Sequence, residues 1–171
     1  MMSQHSIPKP AGWQWLIIAI LAFWLSSSLL LDLVLMPVMA ASGMMTEPGF
    51  ATAGYSIFWI FNRIELLCAA GVLTGTLGLW HNQMHSGQRR SIVLALVLLA
   101  VAFVYTYGLS PQMSGLGLSL DLFNPSLETP DGMNTLHFSY WLLEALKLTL
   151  GALLLKRWLQ PAAALPEFAG R

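Results

Sequence analysis

A helix needs about 20 consecutive apolar residues to cross a hydrocarbon core about 30 Å thick, and this chain holds four such runs, at about 13–36, 56–80, 91–109 and 136–158. They take up most of the 171 residues, so the expected fold is a single all-α domain, an integral membrane four-helix bundle. With 56% of residues hydrophobic and 9% charged, the composition departs from the soluble balance in the same direction. Eight Lys plus Arg against eight Asp plus Glu leave no basic footprint, so nucleic acid is not an expected partner and the lipid bilayer is. The single cysteine, Cys68, sits inside an apolar run and has no internal disulfide partner.

Direction across the membrane follows from the cations. Lys9, Arg89, Arg90, Lys156, Arg157 and Arg171 fall on the two tails and the middle connection. The connections 37–55 and 110–135 hold no Lys or Arg and carry Glu47, Asp121, Glu128 and Asp131. Positive charge stays cytoplasmic, so both termini are expected on that side. Trp13, Trp15, Trp80 and Trp158 then mark inner ends, and Tyr55, Tyr105, Tyr107 and Tyr140 outer ends. Which membrane this is, plasma or internal, does not follow.

A cleavable signal peptide is the competing reading of the start, because Lys9 precedes an apolar run ending in small residues near 38–41; the run is too long for a signal core. Pro37 is expected to stop or kink the first helix, since its ring displaces the bond to the carbonyl of Leu33. Gly71 and Gly75 form a GxxxG whose expected use is tight packing within the bundle. The long outer loop 110–135 is punctuated by Pro111, Pro125 and Pro130, with the apolar stretch 116–123 expected to rest on the membrane surface. No internal repeat is visible.

Soluble-enzyme signatures are absent: there is no CxxC, nucleophile elbow, Walker loop or complete dinucleotide fingerprint. His81 and His85 have the spacing of a helical metal pair, but Asn82 stands where a zinc protease needs its glutamate. The chain is therefore expected not to be an enzyme. Met36, Met39, Met44, Met45, Met113 and Met133 all lie at or beyond the outer face, near His137. Thioethers with an imidazole suit Cu(I), so Met36, Met39, Met44, Met45 and His137 form a candidate soft-metal site, with copper the implied cofactor. A bis-histidine haem within one chain needs two intramembrane histidines, and only His137 qualifies; a five-coordinate haem or a pigment serving a membrane oxidoreductase is the weaker alternative.

Polar residues inside the spans are the most informative. Asp32, Asn62, Arg63, Glu65, His137, Tyr140, Glu144 and Lys147 interrupt the apolar runs, and a charge at the helix centre costs about 2.5–3.5 kcal/mol on insertion scales. They are expected to point inward or snorkel, forming a polar cluster in the outer half of the membrane. At 100° per residue His137, Tyr140, Glu144 and Lys147 share an arc of about 80°, while Arg63 points roughly opposite Glu65. Helices two and four are thus expected to face each other through a polar seam in which Glu65 meets Lys147. Asp32, Glu65 and Glu144 against Arg63 and Lys147 leave one negative charge, which a protonated His137 cancels, making it a candidate pH-sensitive gate.

The segments Val34-Leu35-Met36-Pro37-Val38, Tyr107-Gly108-Leu109-Ser110-Pro111-Gln112-Met113 and Leu136-His137 resemble a four-helix membrane family of unknown function. That family includes an animal transmembrane protein linked to platinum-drug resistance and is distantly similar to bacterial copper-resistance membrane proteins. The resemblance covers nearly the whole chain, carries over Pro111 and His137, and implies a soft-metal association. The functional expectation is proton or soft-metal transport or tolerance through the buried cluster. The alternative is a non-catalytic accessory or assembly subunit with a membrane-protein partner or a second copy of itself.

Overall fold

The computed structural model describes residues 11–44, 49–80, 88–123 and 132–163. Every element in them is helical, and no strand occurs among the described residues. The order is α1 (Ala11–Leu30), a π-turn (Leu31–Leu35), α2 (Met36–Ala41), α3 (Phe50–Trp80), α4 (Gln88–Val104), a second π-turn (Tyr105–Leu109), α5 (Ser110–Phe123) and α6 (Met133–Ala163). Joined end to end they give four helices long and apolar enough to cross a bilayer, Gly12–Ala41, Thr52–Leu79, Arg89–Leu116 and Met133–Gln160. The residues 45, 81, 85, 124–131 and 164–171 lie outside the described part, so Met45, His81, His85 and much of the outer loop are not placed.

The helices run past the apolar segments that announce them. α3 opens six residues before 56, at Phe50, and α5 takes up 110–123, which the turn-forming residues had suggested as loop. Backbone hydrogen bonds outweigh weak side-chain preferences wherever water is scarce, so polar residues at the ends join the helix. Gly49 and Gly132, both at φ +91°, turn the chain into α3 and α6, and their carbonyls accept the N–H groups of Ala53 and Leu136. A side chain is strained in that left-handed conformation, which glycine adopts freely.

Pro37 does not stop the first helix. Ahead of it the hydrogen-bond ladder widens by one residue, and the N–H of Met36 reaches back to the carbonyl of Leu31. The wider turn makes room for a ring that would otherwise strike the carbonyl of Leu33. The third helix repeats the device: the N–H of Ser110 donates to the carbonyl of Tyr105, one residue before Pro111. The two sites share Leu35-x-Pro37-x-Met39 and Leu109-x-Pro111-x-Met113, a local correspondence too short to stand out as a repeat in the sequence.

Around the bundle α1 packs on α3 and α6, and α4 packs on α3 and α6; α3 and α6 have no direct backbone packing among the described residues. Helices two and four therefore stand on a diagonal, across the axis from each other. The polar seam expected between them is made by long side chains reaching over the axis, with Glu65 on Lys147, and not by packed backbones. The centre of one half is apolar, built from Ile17, Leu21, Trp24, Ala69, Val72, Ala95, Leu98, Ala102 and Leu154. Small residues let α1 come close. A Cβ on Gly75 would lie 2.8 Å from Ile17 Cγ1, and one on Gly71 would lie 3.4 Å from Ile20 Cδ1. The GxxxG is thus used inside the chain, against α1.

Candidate functional site

Midway along the bundle the apolar packing gives way to charge. Glu65 from α3 and Lys147 and Glu144 from α6 are each 1% exposed, and Asp32 from the first π-turn is 3% exposed. Glu65 and Lys147 lie about 20 Å along their helices from Thr52 and Met133, near the middle of spans about 42 Å long. The Glu65–Lys147 pair therefore sits near the middle of its helices, while Asp32 and Tyr140 lie nearer the Ala41 and Met133 ends.

Lys147 is the hub. Its Nζ pairs with Glu65 Oε1 across the bundle axis and with Glu144 Oε2 at 2.7 Å. Glu65 Oε1 also accepts from Trp24 Nε1 at 2.9 Å and from Ser28 Oγ at 3.0 Å, both on α1. The Tyr105 hydroxyl stands 3.1 Å from Glu144 Oε2 and 3.2 Å from the Tyr140 carbonyl, one proton between two acceptors. Tyr140 in turn donates to Asp32 Oδ1 at 2.6 Å. Long side chains on the diagonal thus meet over the axis, while α1 and the second π-turn supply the groups that orient them. Three carboxyl groups against one ammonium leave an excess of negative charge if all are ionised, and buried charge is costly unless fully paired. Two oxygens are not paired: Asp32 Oδ2 and Glu144 Oε1 are buried without a hydrogen-bond partner.

Beside Asp32 a cavity of about 310 Å³ opens among the four long helices, lined by Asp32, Met36, Pro37, Ala40, Phe58, Ser110, Met113, Ser114, His137, Tyr140 and Trp141. On the other side of the cluster the packing is the apolar core described above, which closes the way toward the Gly12 end of the first helix.

Of the residues singled out in the sequence, Asp32, Glu65, Tyr140, Glu144 and Lys147 come together in this cluster. Asn62 is buried but turns to the second π-turn, where its amide donates to Ser110 Oγ and to the Tyr105 carbonyl, and its own carbonyl accepts from Thr106 Oγ1. Arg63 is exposed on the outer surface of α3. Its guanidinium lies 3.4 Å from the centre of the Trp59 ring and donates to the Trp59 carbonyl at 2.9 Å, and among the described residues no carboxylate pairs with it. The angle that sets it opposite Glu65 carries it away from the axis. His137 is exposed, with Nδ1 3.0 Å from the Met133 carbonyl, and meets the cluster only through the shared cavity. Met36 and His137 line that cavity, Met39 is buried elsewhere, Met44 is exposed at the helix end, and Met45 is outside the described residues. The described residues contain no group of three or more His, Cys, Asp and Glu suited to a metal.

Sequence reasoning missed Trp24, Ser28 and the role of Tyr105, and it left Met113 out of the candidate ligand set although it named it among the outer methionines. Trp24, Ser28 and Asp32 recur every four residues, a single helical stripe that was open to inspection. Tyr105 had been assigned to the outer aromatic belt; the π-turn it begins and the extension of the helix to Leu116 bring it to the axis, where it is 1% exposed. In comparisons with known proteins, no family model, curated protein or solved structure matches this chain.

Proposed function

We propose that the chain is a multi-pass membrane protein with both termini cytoplasmic that takes protons from its outer face into the buried cluster and passes them by a carrier mechanism. One observation carries this reading: Asp32 is at once a wall of the open cavity and, through Tyr140, a member of the buried hydrogen-bonded cluster. Asp32 and Glu144 each keep an unpartnered oxygen on which a proton can rest, and each accepts from a tyrosine hydroxyl, Tyr140 on Asp32 and Tyr105 on Glu144. The apolar core on the far side argues against an open pore, so transfer requires the bundle to change which end is accessible. Arg63 fits the same placement, because its guanidinium bends a turn toward the Thr52 end, as a snorkelling arginine does.

The purified chain in vesicles with an internal pH-sensitive dye is expected to admit protons faster than protein-free vesicles under an imposed gradient. Glu144→Gln keeps the shape of the side chain and the Tyr105 contact but cannot exchange a proton, and is expected to slow entry by about tenfold or more while leaving the unfolding midpoint close to that of the parent. Parent vesicles no faster than empty ones, or a variant as fast as the parent, overturn the reading. Orientation is checked separately. Ser86→Cys and Ser126→Cys, both outside the described residues, are expected to be protected from and labelled by an external membrane-impermeant thiol reagent, respectively; the reverse pattern inverts the topology.

A further inference from the structure

The cavity beside Asp32 has walls and polar groups that together specify a ligand. Its volume of about 310 Å³ is at the small end for ligand sites, which calls for a compact molecule. Met36, Pro37, Ala40, Phe58, Met113 and Trp141 supply an apolar surface, so that molecule has an apolar body. Among the described residues no Lys or Arg lines the cavity, and Asp32 is the one carboxylate. Asp32 Oδ1 already accepts from Tyr140, while Oδ2 is buried without a donor, the Asp32 carboxyl lying beside that of Glu144, whose Oε1 also lacks one, and the residue is only 3% exposed. An unmet buried acceptor of this kind favours a ligand that brings both N–H groups and positive charge.

His137 adds a second acceptor. Its Nδ1 faces the Met133 carbonyl, which can only accept, so in the neutral ring the proton sits on Nδ1 and Nε2 is left as an acceptor. Phe58, Tyr140 and Trp141 contribute aromatic rings to the wall, and a ring face attracts a cation.

We propose that this cavity binds a small lipophilic amine in its ammonium form, with its apolar body against Met36, Phe58 and Trp141 and its N–H groups on Asp32. The inference deepens the proton-carrier reading and rests on it in one respect: ammonium and proton compete for the same carboxylate, so the amine is the cargo exchanged for protons. The groups facing Asp32 are Tyr140, Glu144, Lys147 and Glu65 from the cluster and His137 from the cavity. Protonation of Asp32 removes the attraction, so binding weakens as pH falls.

The test uses the full-length chain in lipid nanodiscs with radiolabelled 2-phenylethylammonium as probe and 2-phenylethanol as a neutral molecule of the same shape. Saturable amine binding is expected, with the alcohol weaker by about tenfold or more, the scale of one charge-assisted hydrogen bond. Asp32→Asn is expected to reduce amine affinity to a similar degree. Ala40→Phe, which fills the cavity without touching the ion pairs, is expected to abolish binding while leaving the chain monodisperse. No saturable binding, equal affinity for amine and alcohol, or full binding by Ala40→Phe overturns the inference, and so does retention of Cu(I) by Met36, Met113 and His137 with no amine bound. Amine binding without proton entry, even into vesicles preloaded with the amine, supports this inference and overturns the proton reading. Proton entry that is lost in Glu144→Gln, without amine binding, does the reverse.

Discussion

Replacing Lys147 by methionine is expected to destabilise the bundle by about 3–5 kcal/mol, the usual loss when one partner of a buried ion pair is removed. The size follows from what remains. Methionine fills the space of the lysine stem, so the packing of α6 is little changed, but Glu65 and Glu144, each 1% exposed, lose their shared cation. Trp24 and Ser28 still donate to Glu65 Oε1, and Tyr105 still reaches Glu144 Oε2; neutral donors do not offset a buried charge by themselves. Adding Glu65→Gln removes one of the stranded charges, and the double variant is expected to recover about half of the loss. Reversible unfolding in mixed micelles measures both. A single variant within about 0.5 kcal/mol of the parent means that the diagonal pair contributes no net stability.

Gly75→Leu is expected to destabilise by about 3 kcal/mol, the upper part of the range for added bulk in a filled core. A Cβ there would fall 2.8 Å from Ile17 Cγ1 and 3.1 Å from Ile17 Cδ1, and Ile17 is 1% exposed. The γ1 carbon of a β-branched side chain is held by its rotamer and cannot swing aside, so α1 and α3 must separate. Gly151 offers the contrast. Its Cβ would come within 2.6 Å of Leu25 Cδ2, but that methyl is the far end of a flexible chain, and Gly151→Ala is expected to be nearly neutral as helix propensity offsets the small shift. Combining Gly75→Leu with Ile17→Ala removes the clashing carbons, and the pair is expected to be less destabilising than the sum of the two changes. Strict additivity in the same unfolding measurement means that the two residues are not in contact.

The helices were legible because apolar length is a one-dimensional property of the chain, and Glu65 with Lys147 was legible because depth and angle follow from residue number on a helix. What neighbours what is not a property of single helices. Two diagonal helices and two adjacent ones can carry the same inward stripes, so the pairing across the axis emerges only when α1 and α4 take the places between α3 and α6. Helix ends misled for a related reason: polar residues at 50–55 and 110–116 weaken the apolar signal but keep their backbone bonds. Met113 illustrates the limit. Its sulfur was visible, but its place beside Met36 and His137 depends on α5 continuing the third helix.

The two π-turns divide the molecule mechanically. Of the residues that fix the charged hub, Trp24, Ser28, Glu65, Glu144 and Lys147 lie on α1, α3 and α6 and Tyr105 opens the second π-turn, so none lies beyond a π-turn. Met36, Pro37 and Ala40 follow the first π-turn, and Ser110, Met113 and Ser114 follow the second, on two helices that do not carry the central ion pair. A widened turn next to proline is where a helix bends most readily. Bending there moves one set of cavity walls as short levers while the hub keeps its geometry, so opening and closing can proceed on the microsecond-to-millisecond scale of hinge motion without breaking the interactions that hold the bundle together.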